Sequence, residues 1–116
     1  MTTATVPSFT ATIWLGTKNR DAGLLVPEGD ILKSIQEYVD RVGLCVSVTP
    51  TTFIYTNGCE PGFAIGLINY PRFPAEPSAI REKALELAWL LKDVAQQYKV
   101  SVVFPDVTEM NSTEPE

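Results

Sequence analysis

The sequence predicts one α+β domain, in which two amphipathic helices alternate with four strands. Two stretches, 27–42 and 78–99, carry apolar residues at helical spacing, and four shorter stretches have the composition and alternation of strands. With 116 residues, the chain is long enough to bury one hydrophobic core. The resulting order, β-α-β-β-α-β, is that of the ferredoxin-like fold, with two helices on one face of a four-stranded antiparallel or mixed sheet.

The first strand is predicted at residues 9–17, after a Thr-rich leader at 1–8 that we expect to fray. Alternate positions of this strand are apolar and face one side of the sheet: Phe9, Ala11, Ile13 and Leu15. The folded domain is expected to span 9–110, and the acidic tail 111–116 is expected to be disordered.

The first helix is predicted to begin at Pro27, because the fixed φ of proline suits a first helical turn. Glu28 and Asp30 are favourable there, since the N-terminus of a helix carries partial positive charge. Gly43 is placed to end the helix in the left-handed conformation. The apolar stripe of this helix consists of Ile31, Leu32, Ile35, Tyr38, Val39 and Val42.

Strands two and three are predicted to form a hairpin. Residues 44–56 favour a strand, which Pro50 bends or bulges. The dipeptide 57–58, Asn-Gly, is typical of a hairpin turn, and residues 59–62 lengthen it. The third strand follows and ends at Ile68.

A proline-rich segment joins the third strand to the longer helix. Pro71, Pro74 and Pro77 each fix φ and move the preceding residue away from the α region. The second helix is predicted at 78–99, and a last strand follows at 100–104.

This topology predicts a composite site at one edge of the sheet. With right-handed crossovers, we expect strands one and three to lie parallel at the centre, in the spatial order 4-1-3-2. The loops that follow these two strands would then meet beside the N-termini of both helices, which attract anions. The predicted ligand-binding residues are Lys18, Arg20, Asn69, Tyr70, Arg72 and Phe73.

The basic members of this set suit an anionic ligand, and Tyr70 and Phe73 offer rings to a nucleobase. The alternative is structural: Tyr70 and Phe73 cap the core, and Arg72 pairs with Glu76 or Asp106.

The composition argues against several classes of protein. A net charge of −5 and a pI near 4.7 do not fit a nucleic-acid surface. The chain has no histidine, the commonest general base and metal ligand, and its two cysteines, Cys45 and Cys59, do not make a metal set. No stretch is long enough to span a membrane. We therefore expect no metal, cofactor, nucleic acid or membrane, and a cytoplasmic location because no signal peptide is visible.

No residue reaches the level of a catalytic prediction. Cys59 has no histidine to activate it as a nucleophile. The carboxylates of Glu60, Asp106 and Glu109 are of the type that binds hard metals, but a solvated side chain is the favoured interpretation of each.

Three residues are predicted to lie in an interface. Trp89 lies opposite the apolar stripe of the second helix, with Leu85 nearby, and such pairs on a solvent face favour a contact surface. Trp14 belongs to the sheet face away from the helices, which is flat and half apolar. We expect that face to pack against a second copy, giving a homodimer or a higher oligomer.

Three stretches, 42–55, 60–74 and 102–106, resemble a family of small proteins of unassigned function encoded by bacteriophages and prophages. The resemblance covers most of the chain from Ile13 to Met110. It implies a phage origin and a bacterial cytoplasm, and it brings no catalytic residues.

The sequence therefore leads to the hypothesis of a non-enzymatic, oligomeric phage protein that binds or sequesters a small anionic ligand such as a nucleotide immune signal. The alternative hypothesis is a protein-interaction module that docks on a host or phage protein through the Trp89 face of the helix or the open sheet face. An enzyme is the third interpretation.

Overall fold

The computed structural model describes residues 1–19 and 21–114, which form two helices and five strands. In chain order these are β1 Thr10–Gly16, α1 Glu28–Val42, β2 Ser47–Tyr55, β3 Gly58–Ile68, α2 Pro77–Val94, β4 Lys99–Val103 and β5 Thr108–Ser112. The α+β class and the order of the first six elements agree with the prediction. The predicted count of four strands is wrong, because β5 pairs along β4 and extends the sheet.

The sheet has the order β2-β3-β1-β4-β5, and every neighbouring pair is antiparallel. The predicted order 4-1-3-2 is contained in it, but the predicted parallel pairing of β1 and β3 is wrong. Thr10 pairs with Ile68, and Gly16 pairs with Gly62. The crossover through α1 leaves β1 parallel to β2, and the hairpin then returns β3 antiparallel between them.

The hydrophobic core lies between one face of this sheet and the helices. α2 packs directly on β1 and β4, and α1 packs against α2. Ala84 and Ala88 of α2 are fully buried, and their small side chains allow the helix to approach the sheet closely. The core includes the fully buried Ile13, Leu15, Ile65, Leu67, Leu87 and Leu91.

The two helices end differently. α1 ends as predicted, with Gly43 in the left-handed region at φ 71° and its N–H bonded to the Val39 oxygen at 2.9 Å. α2 ends at Val94, before its predicted end at Lys99, because Gln96 also takes a left-handed conformation, at φ 56°. The early end of α2 frees Lys99 to begin β4.

The C-terminal boundary of the domain and the start of β3 also differ from the prediction. Asn111 and Ser112, predicted to lie in a disordered tail, belong to β5. The tail residues Pro115 and Glu116 lie outside the described residues. β3 begins at Gly58 rather than after the lengthened turn, and this earlier start brings Glu60 into the sheet. Neither described helix is long and apolar enough to cross a membrane.

Candidate functional site

The face of the sheet that is not covered by helices carries a cleft. We call this side, which bears Trp14 and Phe53, the open face. The cleft has a volume of about 280 Å³ and lies where the C-terminal end of β1 meets the N-terminal part of β3. We call it the sheet cleft; its principal lining residues are Trp14, Phe53, Glu60, Tyr98, Lys99 and Glu114.

Two aromatic rings form one wall of the sheet cleft. The ring centroids of Trp14 and Phe53 lie 6.3 Å apart at an interplanar angle of 73°, an edge-to-face arrangement. Gly62 lies on the strand between them, and a Cβ atom there would collide with the Phe53 ring and with the Leu15 oxygen. Trp14 is 39% exposed, so this wall presents aromatic surface to the cleft.

A carboxylate lies beside these rings. Glu60 pairs with Phe53 across the β2–β3 ladder, and only 7% of the residue is exposed. Its Oε2 atom accepts a hydrogen bond of 3.0 Å from the Lys18 backbone N–H. The carboxyl group lies over Gly16, where a Cβ atom would stand 2.8 Å from Oε2. The position of the carboxylate therefore depends on a glycine beneath it and on the loop after β1.

That loop is held by several hydrogen bonds. The Thr17 N–H and hydroxyl both donate to the Pro61 oxygen, at 3.1 and 2.9 Å. The Gln97 side chain donates to the Lys18 oxygen at 2.7 Å. Because Thr17 and Gln97 are both buried, these hydrogen bonds are shielded from water. They fix the backbone N–H of Lys18, which donates to the Glu60 carboxylate.

The opposite wall of the sheet cleft is polar. Lys99 Nζ and Glu114 Oε2 form an ion pair at 2.5 Å, and each side chain is about half exposed. The Tyr98 hydroxyl donates to Asp21 at 2.6 Å. Glu114 reaches this wall because the chain after β5 is anchored by a 2.8 Å bond from the Thr113 N–H to the Tyr98 oxygen.

The residues predicted to bind a ligand after β3 lie at the other end of the sheet. Asn69 is buried, and its polar atoms are used within the chain: its side chain donates to the Pro7 oxygen at 2.9 Å and accepts from the Ala75 N–H at 3.0 Å. Asn69 therefore holds the leader and the proline-rich segment against the end of β3.

The three other predicted residues of that segment are arranged differently. Burial raises the pKa of the Tyr70 phenol, and contact with Cys45 raises it further. Arg72 is exposed, with its guanidinium carbon 5.5 Å from the centroid of the neighbouring Phe73 ring, which is itself 61% exposed. Asp106, the suggested partner of Arg72, instead accepts a 2.8 Å hydrogen bond from Arg81.

The structure does not bring the predicted composite site together. Lys18 follows the end of β1 at Gly16, whereas 69–73 follow the end of β3 at Ile68, and the ladder between these ends is about 20 Å long at ~3.4 Å per residue. The reason is the antiparallel pairing of β1 and β3. Arg20 lies outside the described residues. Ligand binding by either half alone stays a prediction.

The predicted interface residues lie on two separate surfaces. Trp14 lines the sheet cleft, and Trp89 is exposed on α2 with Leu85 half-buried one turn away. The Lys92 ammonium lies 5.4 Å from the centroid of the Trp89 ring. An interface role for these residues stays a prediction.

Within 1–19 and 21–114, no group of three or more His, Cys, Asp or Glu side chains is arranged to hold a metal ion. The carboxylates of Asp106 and Glu109 both lie near Arg81, at 2.8 and 4.0 Å. The hydrogen bond from Arg81 is the main reason why the pKa of Asp106 lies below its ordinary value.

The favoured interpretation of Glu60 as a solvated carboxylate is wrong, because the residue is buried in β3, and the sequence did not single out Lys99 or Glu114. A signal for Glu60 is present, because counting back in steps of two from Ala64 through Gly62 places this residue on the open face. Pro61 and the turn dipeptide Asn57-Gly58 favour a lengthened turn, and the prediction therefore placed Glu60 in a turn and not in a strand.

No protein-family model and no curated protein matches the sequence. Two solved structures are similar to the chain. One is a phage SAM lyase in complex with S-methyl-5′-thioadenosine, with a TM-score of 0.78 and 18% identity over 100% of this chain and 98% of that one. The other is a phage SAM lyase in the apo state, with a TM-score of 0.76 and 19% identity over 93% of this chain and 91% of that one.

The chain has the fold of these phage SAM lyases. The predicted resemblance to phage-encoded proteins is confirmed, because both similar structures are phage proteins. The predicted non-enzymatic role is contradicted, because both are enzymes. The sequestering hypothesis and the docking hypothesis are both non-enzymatic, so both are contradicted.

Proposed function

We propose that this chain is a lyase that cleaves S-adenosylmethionine (SAM) and releases S-methyl-5′-thioadenosine. Two phage SAM lyases share its fold over almost the full length of each chain, and one of them holds S-methyl-5′-thioadenosine. The observation that carries the proposal on this chain is the buried carboxylate of Glu60 beside the rings of Trp14 and Phe53.

The groups of SAM match that arrangement. Its sulfonium carries a permanent positive charge, which a buried carboxylate and the faces of aromatic rings both attract. Its adenine offers a flat ring that stacks on Trp14 or Phe53. The ligand expected from the sequence was an anionic nucleotide; SAM shares its nucleoside part but carries a positive sulfonium, and we place it in the sheet cleft.

The release of S-methyl-5′-thioadenosine requires cleavage of the bond between sulfur and Cγ of the methionine part. The electron pair of that bond goes to sulfur, and the sulfonium becomes a neutral thioether. The four-carbon fragment then leaves as a lactone, if its own carboxylate oxygen attacks Cγ, or as an unsaturated amino acid, if a base removes a proton from Cβ. Both routes balance without a metal or a redox cofactor.

We assign the lactone route, because it needs no general base. The chain has no histidine, and in this route the substrate's own carboxylate is the nucleophile. The charge of Glu60 holds the sulfonium in place before the reaction. Since that charge disappears as the bond breaks, Glu60 stabilises the bound substrate more than the product, and product release is favoured.

The proposal includes self-association through the open face. The sheet cleft is slightly smaller than the roughly 300–1,000 Å³ of ordinary ligand sites, and it opens to solvent on one side. A second copy packed on the open face would enclose it. Exposed apolar residues on that face include Trp14, Ile68, Val103 and Met110.

Light scattering tests this association directly. We expect a mass that is a multiple of 12.8 kDa and a shift to the monomer in Ile68→Lys. Ile54→Lys is the matched control, because Ile54 is more exposed but lies on the opposite face of the hairpin. A wild-type monomer at micromolar concentration would refute the association.

The function is tested by incubating the purified protein with SAM and separating the products by chromatography. We expect S-methyl-5′-thioadenosine and homoserine lactone in equal amounts, and no turnover of S-adenosylhomocysteine, which lacks the sulfonium. An unchanged SAM concentration would refute the proposed function. The cytoplasmic location expected from the sequence fits a substrate made by cellular metabolism.

A further inference from the structure

We propose that Lys99 and Glu114 bind the α-amino-acid end of the substrate, so that the segment after β5 is part of the site. This inference rests on the proposed function. It starts from the position of the Lys99–Glu114 ion pair, which lines the same cleft as Trp14, Phe53 and Glu60.

The register of the sheet places this pair at a suitable distance from Glu60. Ser101 pairs with Trp14, so Lys99, two residues earlier on an antiparallel strand, lies beside Gly16 on the open face. Glu60 lies over Gly16 from the other side. Lys99 on β4 and Glu60 on β3 therefore lie on strands that are two strand spacings apart, roughly 10 Å. The residue of β1 between them is Gly16, which has no side chain.

The charges of the pair are complementary to an amino acid. Lys99 presents a cation and Glu114 an anion side by side, 2.5 Å apart, and both side chains remain about half exposed. A zwitterion can lie across such a pair, with its carboxylate on Lys99 and its ammonium on Glu114, and both contacts are charge-assisted hydrogen bonds. The sulfonium, a few bonds away in the same substrate, then faces Glu60.

The chain also holds Glu114 in place with a buried lysine. Only 1% of Lys92 is exposed, and its ammonium donates to the Thr113 hydroxyl at 3.0 Å and to Asp93 at 2.9 Å. A buried ammonium is costly unless it is paired, so Lys92 ties α2 to the segment that carries Thr113 and Glu114. Lys92 is thus a positioning residue for Glu114.

Two ligands separate this inference from the proposed function. SAM carries the amino-acid group, whereas 5′-deoxy-5′-(dimethylsulfonio)adenosine keeps the adenosine and the sulfonium and lacks it. We expect Glu114→Gln and Lys99→Met to weaken SAM binding about tenfold by calorimetry and to leave the analogue unchanged. Glu37→Gln is the matched control, because Glu37 pairs with Lys33 on the surface of α1, away from the cleft.

The outcomes are distinct. Equal losses for both ligands, or no loss for either, would overturn the role of Lys99 and Glu114 while the proposed function stands. A wild-type protein that neither binds nor cleaves SAM would overturn the proposed function, and this inference with it.

Discussion

The two ends of the β1–β3 ladder use their polar residues in opposite ways. At the end where Gly16 pairs with Gly62, Glu60 and the Lys99–Glu114 pair line a concave space. At the end where Thr10 pairs with Ile68, the Asn69 side chain forms its hydrogen bonds with the backbone of its own chain. In the proposed function the first end receives the substrate, whereas the second holds the leader and the segment before α2.

This difference shows how much depends on strand direction. Parallel strands would have brought the loops after β1 and β3 to one edge of the sheet. Antiparallel strands bring the loop after β1 to the start of β3, where Glu60 lies. Reversing one strand thus places Glu60, and not residues 69–73, beside the loop after β1.

The largest effect is expected from Glu60→Gln. The amide keeps an oxygen for the Lys18 N–H but removes the charge that faces the sulfonium. We expect kcat/KM for SAM to fall about 10- to 100-fold, mainly through KM. Arg72→Gln, at the other end of the ladder, should change it by no more than about twofold. A larger loss in Arg72→Gln than in Glu60→Gln would reverse the comparison.

A smaller loss is expected from Gly16→Ala. The new Cβ atom would lie 2.8 Å from Glu60 Oε2, so the carboxylate must move. We expect kcat/KM to fall about tenfold, since small displacements in a site are costly. Gly29→Ala is the control, because no atom lies within 4 Å of its new Cβ; its activity should be unchanged and its unfolding free energy in urea raised by about 0.5–1 kcal/mol. Full activity in Gly16→Ala would show that the position of Glu60 is unimportant.

Trp14→Leu tests the aromatic wall. Loss of one stacking ring should weaken binding of SAM and of S-methyl-5′-thioadenosine alike, by about 2- to 10-fold in calorimetry. Phe73→Leu removes an exposed ring at the other end of the β1–β3 ladder and should leave both affinities unchanged. If Phe73→Leu alone weakened binding, the site would lie at that end of the sheet.

The smallest effect belongs to the structural end, where Asp106 accepts a hydrogen bond from Arg81. That bond lowers the pKa of Asp106 below its ordinary value of 3.8, so the pair stabilises the fold above that pH, and the stabilisation is lost as the pH falls through the folded-state pKa. We expect the difference in unfolding free energy between wild type and Asp106→Asn to shrink from about pH 6 to about pH 2. A difference that stays constant with pH would exclude this ion pair as its source. Catalysis should be unchanged in Asp106→Asn.

Much of the fold was predictable because it depends on local patterns. The apolar periodicity of α1 and Gly43 at its end predicted that helix correctly. β5 was missed because Thr108–Ser112 contains only one apolar residue, Met110, and forms a strand through its pairing with β4. Such tertiary pairing leaves no periodic signal in the sequence.

The candidate site was harder to predict, since it depends on contacts between distant residues. Glu60 and Gly16 are far apart in sequence and meet only through the β1–β3 register. Glu114 reaches the cleft through β5, the strand that was not predicted. An error in one strand direction and the absence of one strand therefore moved the whole predicted site.

A titration of nitrogen-15-labelled protein with S-methyl-5′-thioadenosine, followed by NMR, tests the location of the site most directly. We predict that the largest shifts occur at the Trp14 indole and at the backbone amides of Gly16 and Gly62, and that the amides of Asn69 and Arg72 do not move. Shifts confined to Asn69 and Arg72 would contradict the assignment of the site to the sheet cleft.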